Sequence, residues 1–271
     1  MENHRVIKIC LSLVVISCAI PSLVFAYSPD TTHAALTQEI VKFFNASFPK
    51  QQINSSEAQS VIQGSIDEDK GLRFMHHFYD PVHRRGLTLE TNAPKNLNLA
   101  FVAAGAQSQW QSSKDWATDT LSQAGIKQKL FGGVLADYFG GADDYSWDRA
   151  IYEYAWGSRT RGLEALGHVL HLLEDATVPD HTRNDPHPHV LNMGSPYEDW
   201  TKQFDRSNTN IADRIRGEQP ILLSSIGSYF DAMAGYSNNN FFSKDTIFST
   251  RYVKPIVFEE RIQKLSDGKD Y

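Results

Sequence analysis

The chain is 271 residues long, 41% hydrophobic and 21% charged, with a formal net charge of −6 at pH 7. That length and balance suffice to bury a full core in one domain, and no internal repeat or low-complexity tract appears. The acidic balance provides no general electrostatic footprint for nucleic acid.

The amino terminus has the pattern of a signal peptide. Arg5 and Lys8 precede an apolar run from Ile9 to Ile20, Pro21 breaks it, and Val24-Phe25-Ala26 offers small residues for cleavage before Tyr27. The run is too short for a stable membrane span. Residues 1–26 are therefore expected to be removed, leaving residues 27–271 as the mature domain and raising the acidic charge to −7. Val15-Ile16-Ser17-Cys18 also fits a lipoprotein cleavage box, which would anchor the chain through Cys18. Both readings export the protein, to the periplasm or beyond. The only cysteines, Cys10 and Cys18, lie in this segment. A disulfide framework is thus excluded for the domain, and any metal must be held by histidine, carboxylate or main-chain groups, a donor set that suits zinc.

Along the mature chain helices are easier to find than strands. Thr32 is expected to cap a helix carrying His33, Leu36, Ile40, Val41 and Phe44. A second helix begins near Ser56, and a third runs from about Pro94 toward Ala103. A long helical region spans residues 144–175, interrupted or bent near Gly157 and Gly162. Ser195-Pro196-Tyr197-Glu198 has the pattern of a capping box with proline at the first helical position. Further helical stretches fall within 211–233, and a last helix within 258–265. Period-two alternation is scarce, so the expected fold is a single all-α domain with long functional loops.

The densest chemistry lies at His171-Leu172-Leu173-Glu174-Asp175-Ala176-Thr177-Val178-Pro179-Asp180-His181. Residues four apart share one face of a helix, so the His171 imidazole and Asp175 carboxylate can close on one cation. Pro179 disfavours helix at Val178, which lets His181 return from a loop. At ~100° per residue, Leu166, Val169, Leu170 and Leu173 form an apolar stripe, opposite Glu164, His168, His171 and Asp175. His33, the acidic triplet Asp67-Glu68-Asp69 and His77 add the ligands a site with several metals requires. Phe74, Phe78, Tyr79, Trp147, Tyr152, Tyr154 and Trp156 are expected mostly to pack helices, with an acyl or choline pocket as their functional alternative.

Leu166-Gly167-His168-Val169-Leu170-His171-Leu172-Leu173-Glu174-Asp175, followed by Pro179-Asp180-His181, resembles the signature of the bacterial zinc-dependent phospholipase C family, whose relatives include the single-strand-specific zinc nucleases. His77-Phe78-Tyr79-Asp80-Pro81 resembles the phospholipase branch. The resemblance implies an all-helical domain holding three zinc ions. It implies that His171, Asp175 and His77 hold one zinc with Asp69, although Glu68 competes for that place. Asp175 would bridge to a second zinc that takes His33 and the main-chain amine and carbonyl of a mature amino-terminal residue, here Tyr27 where the family has tryptophan. His181 and Glu198 would bind the third. The family's histidine four residues before the glutamate is Gly194 here, leaving His187 or His189 to reach in from the loop. His76, His83 and His168 have no ligand place in this pattern.

The implied activity is hydrolysis of a phospholipid phosphodiester at a membrane surface, giving diacylglycerol and a phosphorylated headgroup, with Asp69 also orienting or deprotonating the attacking water. A zinc nuclease or other phosphodiesterase is the alternative within enzymes. A non-catalytic surface-binding module stabilised by zinc is the alternative outside them.

Overall fold

A computed structural model of the chain describes residues 28–70, 73–88, 109–123, 143–187 and 194–256. Among them the fold is all-α, and strand pairing is confined to the isolated bridges Asp80–Arg85 and Thr88–Gln109. The helices are α1 Ala34–Ser47, α2 Ser55–Asp67, α3 Ser113–Trp116, α4 Trp147–Trp156, α5 Arg159–Asp175, α6 Pro179–Thr182, α7 Pro196–Thr201, α8 Ile211–Arg214 and α9 Ile226–Asn240. The expected signal segment, Cys10, Cys18, Tyr27, His189 and the helices proposed near Pro94 and in 258–265 lie outside the described residues. No described helix is long and apolar enough to cross a membrane.

Local chemistry sets several boundaries. Asn54 caps α2 through the backbone N–H groups of Ser56 and Glu57, and the Glu57 carboxylate returns to the Asn54 N–H, a reciprocal arrangement worth about 1 kcal/mol. Thr32 does not cap α1. It lies in a π-helical turn, Pro29–His33, and its hydroxyl donates to the Thr201 carbonyl at 2.9 Å. The expected long helix over 144–175 is broken at Gly157 and Ser158 into α4 and α5, while α5 runs without interruption through Gly162.

Helix α5 is the axis of the domain. Leu163, Val41 and Val61 form one apolar layer with α1 and α2, joined by Leu166 and Leu170. Leu172, Leu173 and Ala176 form a second layer with Trp116, Phe230 and Ala234 from α3 and α9. The helix is therefore enclosed on several sides, and the stripe opposite its apolar residues is interior as well: His168, His171 and Asp175 are all buried.

Two glycines set the closest helix crossing. A Cβ on Gly64 would sit 1.9 Å from the Glu164 carbonyl oxygen, and one on Gly167 would sit 2.0 Å from that of Val61. Only hydrogen at these positions lets the α2 and α5 backbones meet. The contact brings the Ser65 carbonyl to 2.6 Å from His171 Nδ1, so the helix crossing itself orients a side chain of the site.

Candidate metal centre

Residues expected to act as ligands converge in the interior. Asp175, at the last turn of α5, is the hub. Its Oδ1 lies 3.4 Å from His33 Nε2, while its Oδ2 lies 2.9 Å from His77 Nδ1, 3.3 Å from His171 Nε2 and 3.6 Å from His181 Nδ1. The i,i+4 geometry of His171 and Asp175 follows from helix pitch, whereas His33 and His77 arrive from the turn before α1 and from the segment after the 3₁₀ turn Arg73–His76.

Among the described residues, three sets of side chains have donor atoms within 4.8 Å of one another: His33, Asp69 and His171; His77, His171 and Asp175; and His181, His187 and Glu198. All are buried. Asp69 lies 3.6 Å from His77 Nδ1 and 3.8 Å from His171 Nε2. Both oxygens of Asp69 and both of Asp175, with His181 Nε2, lack a hydrogen-bond partner among the described residues. Buried acceptors in this state are costly unless something absent from the chain satisfies them, and converged imidazoles and carboxylates fit a divalent cation.

Glu68, the alternative to Asp69, is committed to other partners, with its Oε1 3.9 Å from His77 Nε2. It accepts from Arg73 Nε at 2.7 Å, His168 Nδ1 at 2.5 Å and Trp116 Nε1 at 3.1 Å. His168 thereby acquires a role behind the ligands, with its ring stacked on Tyr145 at 3.8 Å. His76 stacks on Trp116, and His83 hydrogen-bonds Asp80 at the turn over 80–85.

The third set corrects the expected route of His181 and brings His187 beside it. Val178 is extended, but Pro179 occupies the first position of the short helix α6, so His181 is presented by a helical turn rather than a loop. Its Nδ1 meets the His77 carbonyl at 3.1 Å, and its ring stacks on Phe78 with centroids 4.3 Å apart. After α6, Asn184 adopts a left-handed conformation at φ 49°, and its amide pairs with Thr88 through three hydrogen bonds. The chain is thus turned so that His187 Nε2 reaches Glu198 Oε1 at 2.5 Å, with His187 Nδ1 on the Asp185 carbonyl. Ser195 caps α7 through the Glu198 N–H, while the Glu198 carboxylate faces His187 and, at 3.7 Å, His181. His187 therefore joins His181 and Glu198 in one buried set.

Charges within the sets are strongly coupled. Burial pushes the Asp69 carboxyl up, against His171, His77 and His33. Burial presses Asp175 the same way, yet His181, His171 and His77 hold it well below its ordinary range. Burial disfavours the charged form of His33, but Asp175 and Glu174 override it and lift the imidazole to about 10. Burial also opposes the charge on His187, which Glu198 nevertheless lifts to about 10. Glu198 is itself held upward, by burial, against the opposing effect of His187. Burial lowers His181 to about 3 and keeps it a neutral donor.

The aromatic expectation divides. Phe74, Phe78 and Tyr79 are core, but Tyr152, Tyr154 and Trp156 are exposed on α4, Trp156 by 76%. They do not pack helices because α4 turns Ala150 and Glu153 inward instead. Glu174 was not singled out as functional by its position in the sequence, although it contacts His33 directly. No family model, curated protein or solved structure matches the chain.

Proposed function

We propose that this chain is an exported zinc-dependent phosphodiester hydrolase of the phospholipase C type, acting on a phospholipid at a membrane surface and releasing diacylglycerol and a phosphorylated headgroup. The observation that carries the reading is Asp175, whose two oxygens face different histidine sets in the interior. A carboxylate in that position suits a bridge between two ions.

His77, His171, Asp175 and Asp69 would hold one zinc; His33 and Asp175 would contribute to a second, with the main chain of Tyr27 if cleavage exposes it; His181, His187 and Glu198 would hold a third. When bound, zinc supplies Lewis acidity toward phosphate oxygens and water, the chemistry phosphodiester hydrolysis needs. The residues' own contribution is to fix those positions and exclude bulk water. Phe78 supports this by stacking on His181, which also ties the His77-Phe78-Tyr79-Asp80-Pro81 stretch to the candidate centre. The Asp69 carboxyl, raised by burial, suits a residue that orients water and accepts its proton.

A zinc-loaded preparation assayed side by side on phosphatidylcholine vesicles and single-stranded DNA tests the reading. Lipid cleavage to diacylglycerol is expected. Preferential DNA cleavage transfers the site to a nuclease, and a zinc-loaded chain that hydrolyses neither makes it a metal-stabilised binding module. Asp69→Asn is expected to lose turnover, and full turnover with full zinc removes the proton-accepting role.

A further inference from the structure

The adjacent acids at the end of α5 take different partners. Asp175 faces the ligand cluster, while Glu174 reaches behind it: Glu174 Oε2 lies 2.6 Å from His33 Nδ1, and Oε1 accepts the Thr37 hydroxyl at 2.8 Å. Both oxygens of a carboxylate only 4% exposed are thus committed, one to an imidazole and one to a fixed hydroxyl on α1. His33 is held between consecutive acids, with Glu174 at Nδ1 and Asp175 Oδ1 3.4 Å from Nε2. Its ring also stacks on His171, with centroids 3.6 Å apart and planes 14° apart.

We infer that Glu174 is a positioning residue which fixes His33 with Nδ1 protonated and Nε2 presented to the cation shared with Asp175. A neutral imidazole carries its proton on one nitrogen only, so an acceptor at Nδ1 leaves Nε2 as the donor to metal. The same carboxylate raises the basicity of that donor and restricts ring rotation. Thr37 completes the device by holding the second oxygen of Glu174, which prevents the carboxylate from swinging toward the ion itself. The consecutive acids therefore divide the work, one contacting the cation and one orienting a ligand to it. Because Glu174 touches His33 but neither His181 nor His187 in the contacts described, its influence is specific to one ion of the cluster.

This inference rests on the metal reading proposed above, and zinc titration of the folded chain, followed by circular dichroism and by Co²⁺ absorption, separates the two. The parent chain is expected to bind three equivalents; a parent that binds none sinks the metal reading itself. Glu174→Ala is expected to weaken one equivalent by about 10–100-fold and leave the others unchanged, the usual effect of deleting a carboxylate behind a histidine ligand. Glu174→Gln, which keeps an acceptor for Nδ1–H, is expected to recover part of that loss, and Thr37→Val to show a smaller loss at the same equivalent. The Co²⁺ spectrum should change for one equivalent only, while metal-free helicity stays at the parent value. Parental affinity at every equivalent in Glu174→Ala overturns the inference. Should Glu174→Ala fail to fold, Glu174→Gln and Thr37→Val decide: unchanged affinities in both overturn it equally.

Discussion

The inner ligands around Asp175 and the outer set of His181, His187 and Glu198 are buried alike but built by different means. The inner set hangs on the α2–α5 crossing, where glycine contacts hold backbone against backbone and the Ser65 carbonyl orients His171. The outer set hangs on short helices and a turn, fixed by Pro179, the left-handed Asn184 and the Ser195 cap. Their charges differ as well: despite burial Asp175 is held well below its ordinary range by surrounding imidazoles, whereas burial holds Glu198 above its own.

The strongest way to break this contrast is to remove the hub. Asp175→Asn is expected to lose inner metal and to lower phosphodiester turnover by roughly 10²–10⁴-fold, since deleting one partner from a buried charge cluster costs about 3–5 kcal/mol. His187→Ala, by contrast, should release one equivalent and leave the inner ions in place. Metal analysis of both variants checks the distinction, and a parallel loss of all metal from each would erase it.

A smaller effect is expected from the scaffold alone. Gly167→Ala forces a methyl group against the Val61 carbonyl and should destabilise the domain by about 1–3 kcal/mol, read from denaturant unfolding of the metal-free chain. Because the crossing orients His171, inner metal affinity should fall with it while the outer set is spared. An unchanged unfolding midpoint would show that the helices can separate without cost.

Acidity sharpens the comparison further. Near pH 6.5 the inner set must give up protons from His33 and His77, both raised above their ordinary value despite burial, by Asp175 with Glu174 or Asp69. Of the outer imidazoles only His187 is raised, by Glu198 against burial, while burial keeps His181 neutral. Protons on the ligands compete with metal, so affinity falls as pH falls, by about tenfold per pH unit for each proton released. Inner occupancy should therefore decline more steeply than outer occupancy. Calorimetric titration in buffers of different ionisation enthalpy counts the protons, and equal counts would remove the contrast.

Much of this was legible in the sequence where the physics is local. Helix pitch places His171 beside Asp175, Pro179 keeps α5 from continuing, and Ser195 announces the helix it caps. Scarce period-two alternation separated an all-α domain from a sheet. Other decisions needed contacts distant in the chain. Asp69 and Glu68 are neighbours with the same chemistry, yet Arg73, Trp116 and His168 all donate to Glu68 while neither oxygen of Asp69 has a hydrogen-bond partner among the described residues. His187 reaches Glu198 because Thr88 pins the turn at Asn184. The polar stripe of α5 resembles a solvated face in one dimension, yet apolar layers on two sides enclose it. Spacing along one helix is set by backbone geometry, which sequence carries; which nitrogen or carboxylate faces a cation is set by what packs behind it, which only the tertiary structure decides.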